Sequence, residues 1–198
     1  MAYDPIITIK STLVPIAVDN IDTDQIIPAR FLKAISRDSD FGSKLFSDWR
    51  YTPNGETKPG FNLNTFNRDS KILLTGDNFG CGSSREHAAW AIYDYGIRVV
   101  MAKSFADIFR SNAQNNGILL ITLPENTHAG LLRKIELNPD FKVEVSLPDQ
   151  LVTFQDGSES FSFDINPFKS KCLQEGVDLL DFLVTRKDQI IKFEQKKY

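Results

Sequence analysis

Lys71-Ile72-Leu73-Leu74-Thr75-Gly76-Asp77-Asn78-Phe79-Gly80-Cys81-Gly82-Ser83-Ser84-Arg85-Glu86-His87 is the stretch on which the fold turns. Its first five residues read as a short apolar strand. A glycine-rich loop follows, and residues 83–95 read as a helix that stops at Gly96. The pattern then repeats: residues 98–101 as a strand, 104–116 as a helix stopped by Gly117, and 118–121 as a third strand. Strand–helix–strand–helix–strand with short connections predicts a parallel βαβαβ unit with right-handed crossovers. The fold class expected is therefore α/β.

Working outward, residues 6–18 are rich in Ile, Val and Thr and predict one or two strands. Residues 19–24 form an acidic turn, and Pro28 suits the first turn of a short helix over 28–35. Residues 36–69 read as a loop-rich insertion, with Pro53-Asn54-Gly55 and Pro59-Gly60 as turn signals. Such long loops are often functional, and Phe41, Leu45, Phe46 and Trp49 predict one or two buried helical turns within it. After a helix over 124–137 come β runs at 141–147, 151–154 and 161–164, the last two joined through Asp156-Gly157-Ser158. Residues 167–198 read as a helical tail of two helices split at Gly176. The whole, 1–198, is expected to be a single domain.

Composition excludes several function classes. A net charge of −3, from 23 basic and 26 acidic side chains, lacks the basic face of a nucleic-acid binder. No apolar run approaches the ~18 residues of a membrane span, and the start has no basic region followed by an apolar core. A cytoplasmic location is the expectation. Cys81 and Cys172 lie in no Cys-x-x-Cys pair and only two histidines, His87 and His128, stand beside them, which argues against a closed zinc site or a self-contained iron–sulfur cluster, each of which needs four protein ligands.

The chemistry is expected in the loop. Gly80 and Gly82 let the backbone bend where side chains would clash. Ser83 with Glu86 three residues on has the form of a capping box, which places a helix start at the carboxyl end of a parallel sheet, where α/β proteins bind ligands. Free N–H groups and the helix dipole attract an anion, and Arg85 adds a fork suited to a carboxylate. A nucleotide phosphate fits poorly. Ser rather than Lys follows Gly82, and Arg85 stands where a dinucleotide fingerprint needs its third glycine. A plain capped helix start with no ligand is the bland alternative; three glycines, paired serines and an arginine at one strand-to-helix switch weigh against it.

These residues carry a resemblance. Gly82-Ser83-Ser84-Arg85-Glu86-His87-Ala88 is similar to the swivelling-domain signature of the aconitase superfamily, and Asp22-Thr23-Asp24-Gln25-Ile26-Ile27-Pro28-Ala29-Arg30 to that domain's other motif. Over most of residues 10–125 the chain resembles the small-subunit family of bacterial isopropylmalate dehydratases, including Asp48-Trp49-Arg50 and Ser104-Phe105-Ala106-Asp107-Ile108-Phe109. The resemblance implies a swivelling β/β/α domain of the aconitase type with a central βαβαβ unit. It implies a hydro-lyase of leucine biosynthesis that isomerises 2-isopropylmalate and 3-isopropylmalate by dehydration and rehydration, active only with a large subunit that carries a [4Fe–4S] cluster. By the same resemblance Ser83 is the catalytic base, and Ser84 and Arg85 bind a substrate carboxylate. Arg30 or Lys33 is the second cation, and Asp22, Asp24, Gly80 and Gly82 support the loop. Cys81 is expected to fill space beside the loop, His87 to be structural, Trp49 and Trp90 to be packing or interface residues, and the charged tail over 186–197 to be a solvated helix face. Two alternatives stand beside this: a related hydro-lyase acting on homocitrate, citraconate or dimethylmalate, and a non-catalytic module that kept the fold.

Overall fold

The computed structural model describes residues 3–32 and 40–195. In chain order its elements are β1 (Thr8–Ile16), α1 (Thr23–Ile26), α2 (Ser47–Arg50), α3 (Asn62–Thr65), β2 (Ile72–Thr75), α4 (Glu86–Tyr95), β3 (Val99–Ala102), α5 (Asp107–Asn115), β4 (Leu119–Thr122), α6 (Glu125–Leu137), β5 (Lys142–Ser146), β6 (Leu151–Phe154), β7 (Ser160–Ser162), α7 (Pro167–Glu175), α8 (Leu179–Val184) and α9 (Lys187–Gln195). The strands form one sheet in the order β4-β3-β2-β1-β5-β6-β7.

The expected βαβαβ unit is present as β2-α4-β3-α5-β4, with parallel pairing of Ile72 to Val99 and of Val99 to Leu119. It makes one half of the sheet. Residues 6–18 supply a single strand, β1, which takes the middle place. Leu13–Ile16 pairs parallel with β2, while Thr8–Thr12 pairs antiparallel with β5. The second half, β5-β6-β7, is an antiparallel meander turned at Gly157.

Burial explains the two halves. Every residue of β2 and β3 is buried, as parallel strands require when helices cover both faces. Leu73, Val100 and Leu120 pack on one side with Ile92 of α4 and Phe109 of α5. Ile72, Leu74, Val99, Met101, Leu119 and Ile121 pack on the other with Leu131 and Ile135 of α6. In β5 the buried residues alternate with more open ones, the pattern of a strand covered on one face.

Within the expected insertion over 36–69, the described residues 40–69 are built around Phe41, Leu45 and Phe46, all essentially buried, with a 3₁₀ turn at Gly42–Lys44 and the one-turn helices α2 and α3. Arg50 is the buried ion of this layer. Its guanidinium donates to the Asn64 side chain at 3.2 Å and to the Leu45 carbonyl at 3.3 Å, and stacks near the rings of Tyr51 and Tyr95. Trp49 is half-buried against Phe46 and Phe61.

Four expectations need correction. The helix expected from Ser83 begins at Glu86, with Arg85 at its cap and no side-chain capping bond; the Ser83–Glu86 capping box does not form. A capping box forms instead in the acidic turn, where Asp22 accepts the Asp24 N–H at 2.7 Å and Gln25 Oε1 accepts the Asp22 N–H at 2.8 Å. The helix expected over 104–116 starts at Asp107, because residues 104–106 remain extended and bond to the glycine loop. The tail holds three helices rather than two; the last, α9, is exposed along its length, with Ile190, Ile191 and Phe193 among its charged residues. Of the short helix expected over 28–35, a 3₁₀ turn at Ala29–Phe31 is seen; residues 33–35 lie outside the described residues.

Candidate active site

The loop of residues 76–85 is stitched to the chain on both sides. Two isolated parallel bridges, Asp22 with Cys81 and Phe79 with Phe105, extend the sheet beyond the ends of β1, β2 and β3. The Gly80 N–H donates to Ile21 O at 2.8 Å, the Thr23 N–H to Cys81 O at 2.8 Å, and the Ala106 N–H to Phe79 O at 3.0 Å. The two glycines are required by contact as well as conformation. Gly80 has φ 79°, and a Cβ there would lie 2.2 Å from Phe109 Cγ; Gly82 has φ 88°, and a Cβ there would lie 2.2 Å from Asp22 Oδ2. Only a residue without Cβ takes both at low cost.

Asp22, Thr23 and Asp24 address the loop in sequence. The Asp22 carboxylate sits against Gly82. Thr23, 2 % exposed, donates its hydroxyl to Ser83 O at 2.9 Å. Asp24 pairs with the Arg85 guanidinium. The structure thus brings together five of the residues singled out from sequence, Asp22, Asp24, Gly82, Ser83 and Arg85, with Gly80 and Ser84 on the same loop. Ser83 and Ser84 are exposed, and neither hydroxyl has a partner among the described residues. The Arg85 side chain is only 15 % exposed. Partial burial strengthens the hold of a cation on an anion, and Nη1 alone is engaged by Asp24. The arrangement can present two hydroxyls and a cation to one carboxylate-bearing ligand.

A second layer fixes the base of the loop. Ser104 donates to the Asp77 carboxylate and accepts the Asn78 N–H at 2.8 Å. Asn78, held at φ 51°, donates to Asn20 Oδ1 at 2.9 Å. Asp19 accepts the Asp77 N–H at 2.6 Å and pairs with Lys103 at 3.3 Å. That backbone donor, and then Lys103, hold the Asp19 carboxyl below its ordinary range. Thr23, Asp77 and Ser104 were not singled out from sequence as site residues. The usable signal for Thr23 was its place between two aspartates already assigned to the loop.

The blander readings fare well. Cys81 donates weakly to Asn20 O at 3.4 Å, and burial, then the nearby Asp22 charge, push its thiol up, away from a reactive thiolate. His87 packs between Phe41 and Trp90, with ring centroids 5.4 and 4.6 Å away. Trp90 donates to Asn116 Oδ1 at 2.9 Å. Among the described residues no three His, Cys, Asp or Glu are arranged to hold a metal ion. A [4Fe–4S] cluster is normally held by four cysteine thiolates. The chain has one cysteine in the loop and one buried in α7, so its residues do not fit such a group. No helix among the described residues is long and apolar enough to cross a membrane.

Of the two expected second cations, Lys33 lies outside the described residues. Arg30 is half-exposed and forms a two-pronged ion pair with Asp48. It lines a cavity of about 670 Å³ with Phe31, Lys44, Asp48, Tyr51 and Lys58. Ser83, Ser84 and Arg85 do not line that cavity, and Arg30 is held by Asp48 rather than by the glycine loop.

Comparison with known proteins agrees with this geometry. Residues 4–126 match the model of the aconitase C-terminal domain, and residues 129–167 a model described as LeuD_N. The 3-isopropylmalate dehydratase small subunit of Karelsulcia muelleri is 52 % identical over 190 residues, covering 96 % of each chain. That of Christiangramia forsetii is 48 % identical over 191 residues, covering 96 % of this chain and 93 % of its own. Among solved structures, the 3-isopropylmalate dehydratase (leuD) of Methanocaldococcus jannaschii superposes with a TM-score of 0.68 at 27 % identity, covering 95 % of this chain and 99 % of that one. With a family model over more than half its length and relatives of this identity along nearly all of it, the chain belongs to the family of 3-isopropylmalate dehydratase small subunits, built on an aconitase-type C-terminal domain.

Proposed function

We infer that the chain is the small subunit of a 3-isopropylmalate dehydratase, a hydro-lyase of leucine biosynthesis that moves a hydroxyl between neighbouring carbons of isopropylmalate by removing and returning water. One observation carries this: the loop held by Asp22, Thr23 and Asp24 presents two exposed hydroxyls beside the partly buried Arg85 side chain. Ser83 acts as the base. Its oxygen takes the proton from the carbon next to a carboxylate, the C–H electron pair becomes the new C=C bond, and the hydroxyl departs from the adjacent carbon. A serine oxygen does this only when its negative charge is stabilised, and Arg85 two residues away is the cation at hand. Ser84 and Arg85 grip the carboxylate, which shares the guanidinium with Asp24. Arg30 or Lys33 supplies a second cation.

A large subunit completes the enzyme. The [4Fe–4S] cluster, which would supply Lewis-acid chemistry at the leaving hydroxyl, is assigned to that partner because this chain lacks the donors. The test is reconstitution. The chain purified with a large subunit should turn over 2-isopropylmalate in preference to homocitrate or citraconate. Preference for either of the latter would overturn the substrate assignment, and inactivity on all of them would overturn the reaction class.

A further inference from the structure

We propose that Thr23 is the positioning residue for Ser83, acting through the backbone of the loop. This rests on Ser83 being the base. Between the Cys81 carbonyl, taken by the Thr23 N–H at 2.8 Å, and Arg85, taken by Asp24, lie Gly82, Ser83 and Ser84. All three are exposed. Among the described residues they make one hydrogen bond, from the Thr23 hydroxyl to the Ser83 carbonyl. Gly82, at φ 88°, is free to rotate, so without that bond the Ser83 peptide can swing and carry its hydroxyl with it.

The carbonyl does not need Thr23 in order to be satisfied. It belongs to an exposed residue, and water is an adequate partner there. What Thr23 adds is direction. Its own position is fixed three ways: it is buried, its N–H is committed to Cys81 O, and a β-branched side chain has few rotamers. Thr23 therefore transfers the order of α1 to an otherwise loose turn. Its two bonds straddle Gly82, the residue whose freedom must be removed. Misplacement of a reacting group by about 1 Å can cost on the order of 10²-fold in rate.

The experiment uses the assembled enzyme and three variants. Thr23→Val keeps shape and burial and removes only the donor. It should lower kcat about 10–100-fold with a much smaller rise in KM, because Arg85, the charged half of the carboxylate grip, is anchored by Asp24 and not by this bond. Thr23→Ser restores the donor and should recover most of kcat. Ser83→Ala is the benchmark. Wild-type kcat in Thr23→Val, or a Thr23→Ser variant as slow as Thr23→Val, would overturn the proposal while leaving the assignment of Ser83 intact. Full activity in Ser83→Ala would remove the assignment on which the proposal rests. If Thr23→Val fails to fold by circular dichroism, Thr23→Ala, which unburdens the buried site, is read in its place against Thr23→Ser by the same criteria.

Discussion

Replacing Ser83 by alanine separates chemistry from architecture with unusual cleanness in this chain. A serine at a helix cap contributes about 0.5–2 kcal/mol, and the sequence alone predicts that Ser83 caps α4. In the structure the cap is Arg85, with no side-chain capping bond, and the Ser83 side chain is exposed. Its Oγ has no partner among the described residues. The stability term is therefore that of an ordinary surface change, within about 0.5 kcal/mol. At roughly 2–4 °C per kcal/mol for a chain of this size, the melting temperature should move by no more than about 2 °C. Loss of a general base costs about 10²–10⁴ in rate, equivalent to roughly 3–5 kcal/mol of barrier at 1.36 kcal/mol per decade. The hydroxyl acts while the proton moves, so the loss falls on kcat and leaves affinity largely intact. The assay is turnover of 2-isopropylmalate by the chain reconstituted with its large subunit, together with exchange of the substrate α-deuterium into solvent; both should fail together. Near-wild-type exchange in Ser83→Ala would refute Ser83 as the base and direct attention to Ser84. A fall in melting temperature well beyond the predicted limit would show that the hydroxyl supports the helix start after all.

Other expectations follow from the same geometry. Arg85→Lys keeps the charge but loses the fork, so KM should rise by the equivalent of about 1.5–3 kcal/mol; an unchanged KM would place the carboxylate elsewhere. Gly80→Ala adds a Cβ at 2.2 Å from Phe109 Cγ in a left-handed backbone. It should cost about 1–2 kcal/mol for conformation and about 1–3 kcal/mol for overpacking. Gly60→Ala, with nothing within 4 Å, should melt near wild type. Asp19 has its pKa lowered, chiefly by the Asp77 N–H and then by Lys103. Its contribution to stability is therefore present above the ordinary carboxylate range and lost as pH falls through its own depressed value. In a carboxyl titration by NMR it should have a lower midpoint than in the Lys103→Ala variant. The chain purified alone should carry no stoichiometric iron or sulfide on elemental analysis.

The half of the sheet built from β2, β3 and β4 was legible because its signals are local: apolar runs, glycine stops and helix-length spacings lie within about fifty residues. The glycine loop was legible as composition, yet its mechanics were not. The Ser83–Glu86 spacing fits a capping box, but residues 80–83 are drawn onto Ile21, Asp22 and Thr23, and that long-range pairing delays the helix to Glu86. The same competition held Ser104 out of α5. The real capping box, Asp22 to Gln25, was hidden because its helix is only one turn long and lacks a periodic apolar face. The break at Thr185 and Arg186 in the tail carries neither glycine nor proline, so nothing in the local sequence announces it. For Thr23 the sequence offered its place between two assigned aspartates, but not the partner of its hydroxyl, which lies sixty residues away.

The divided pairing of β1 has a consequence for how the chain reaches this state. β1 precedes both of its partners in the chain, so Leu13 must wait for Ile72, and Thr8 for Ser146. Until residue 146 is available, the amino-terminal half of the strand has an open edge bearing Ile9, a residue destined for the core. Such distant pairings are slow to form, and an unpaired edge is a template for the wrong partner. A nascent or truncated chain that ends before β5 therefore carries a sticky strand that the finished protein conceals, and misassembly should concentrate in that interval of synthesis.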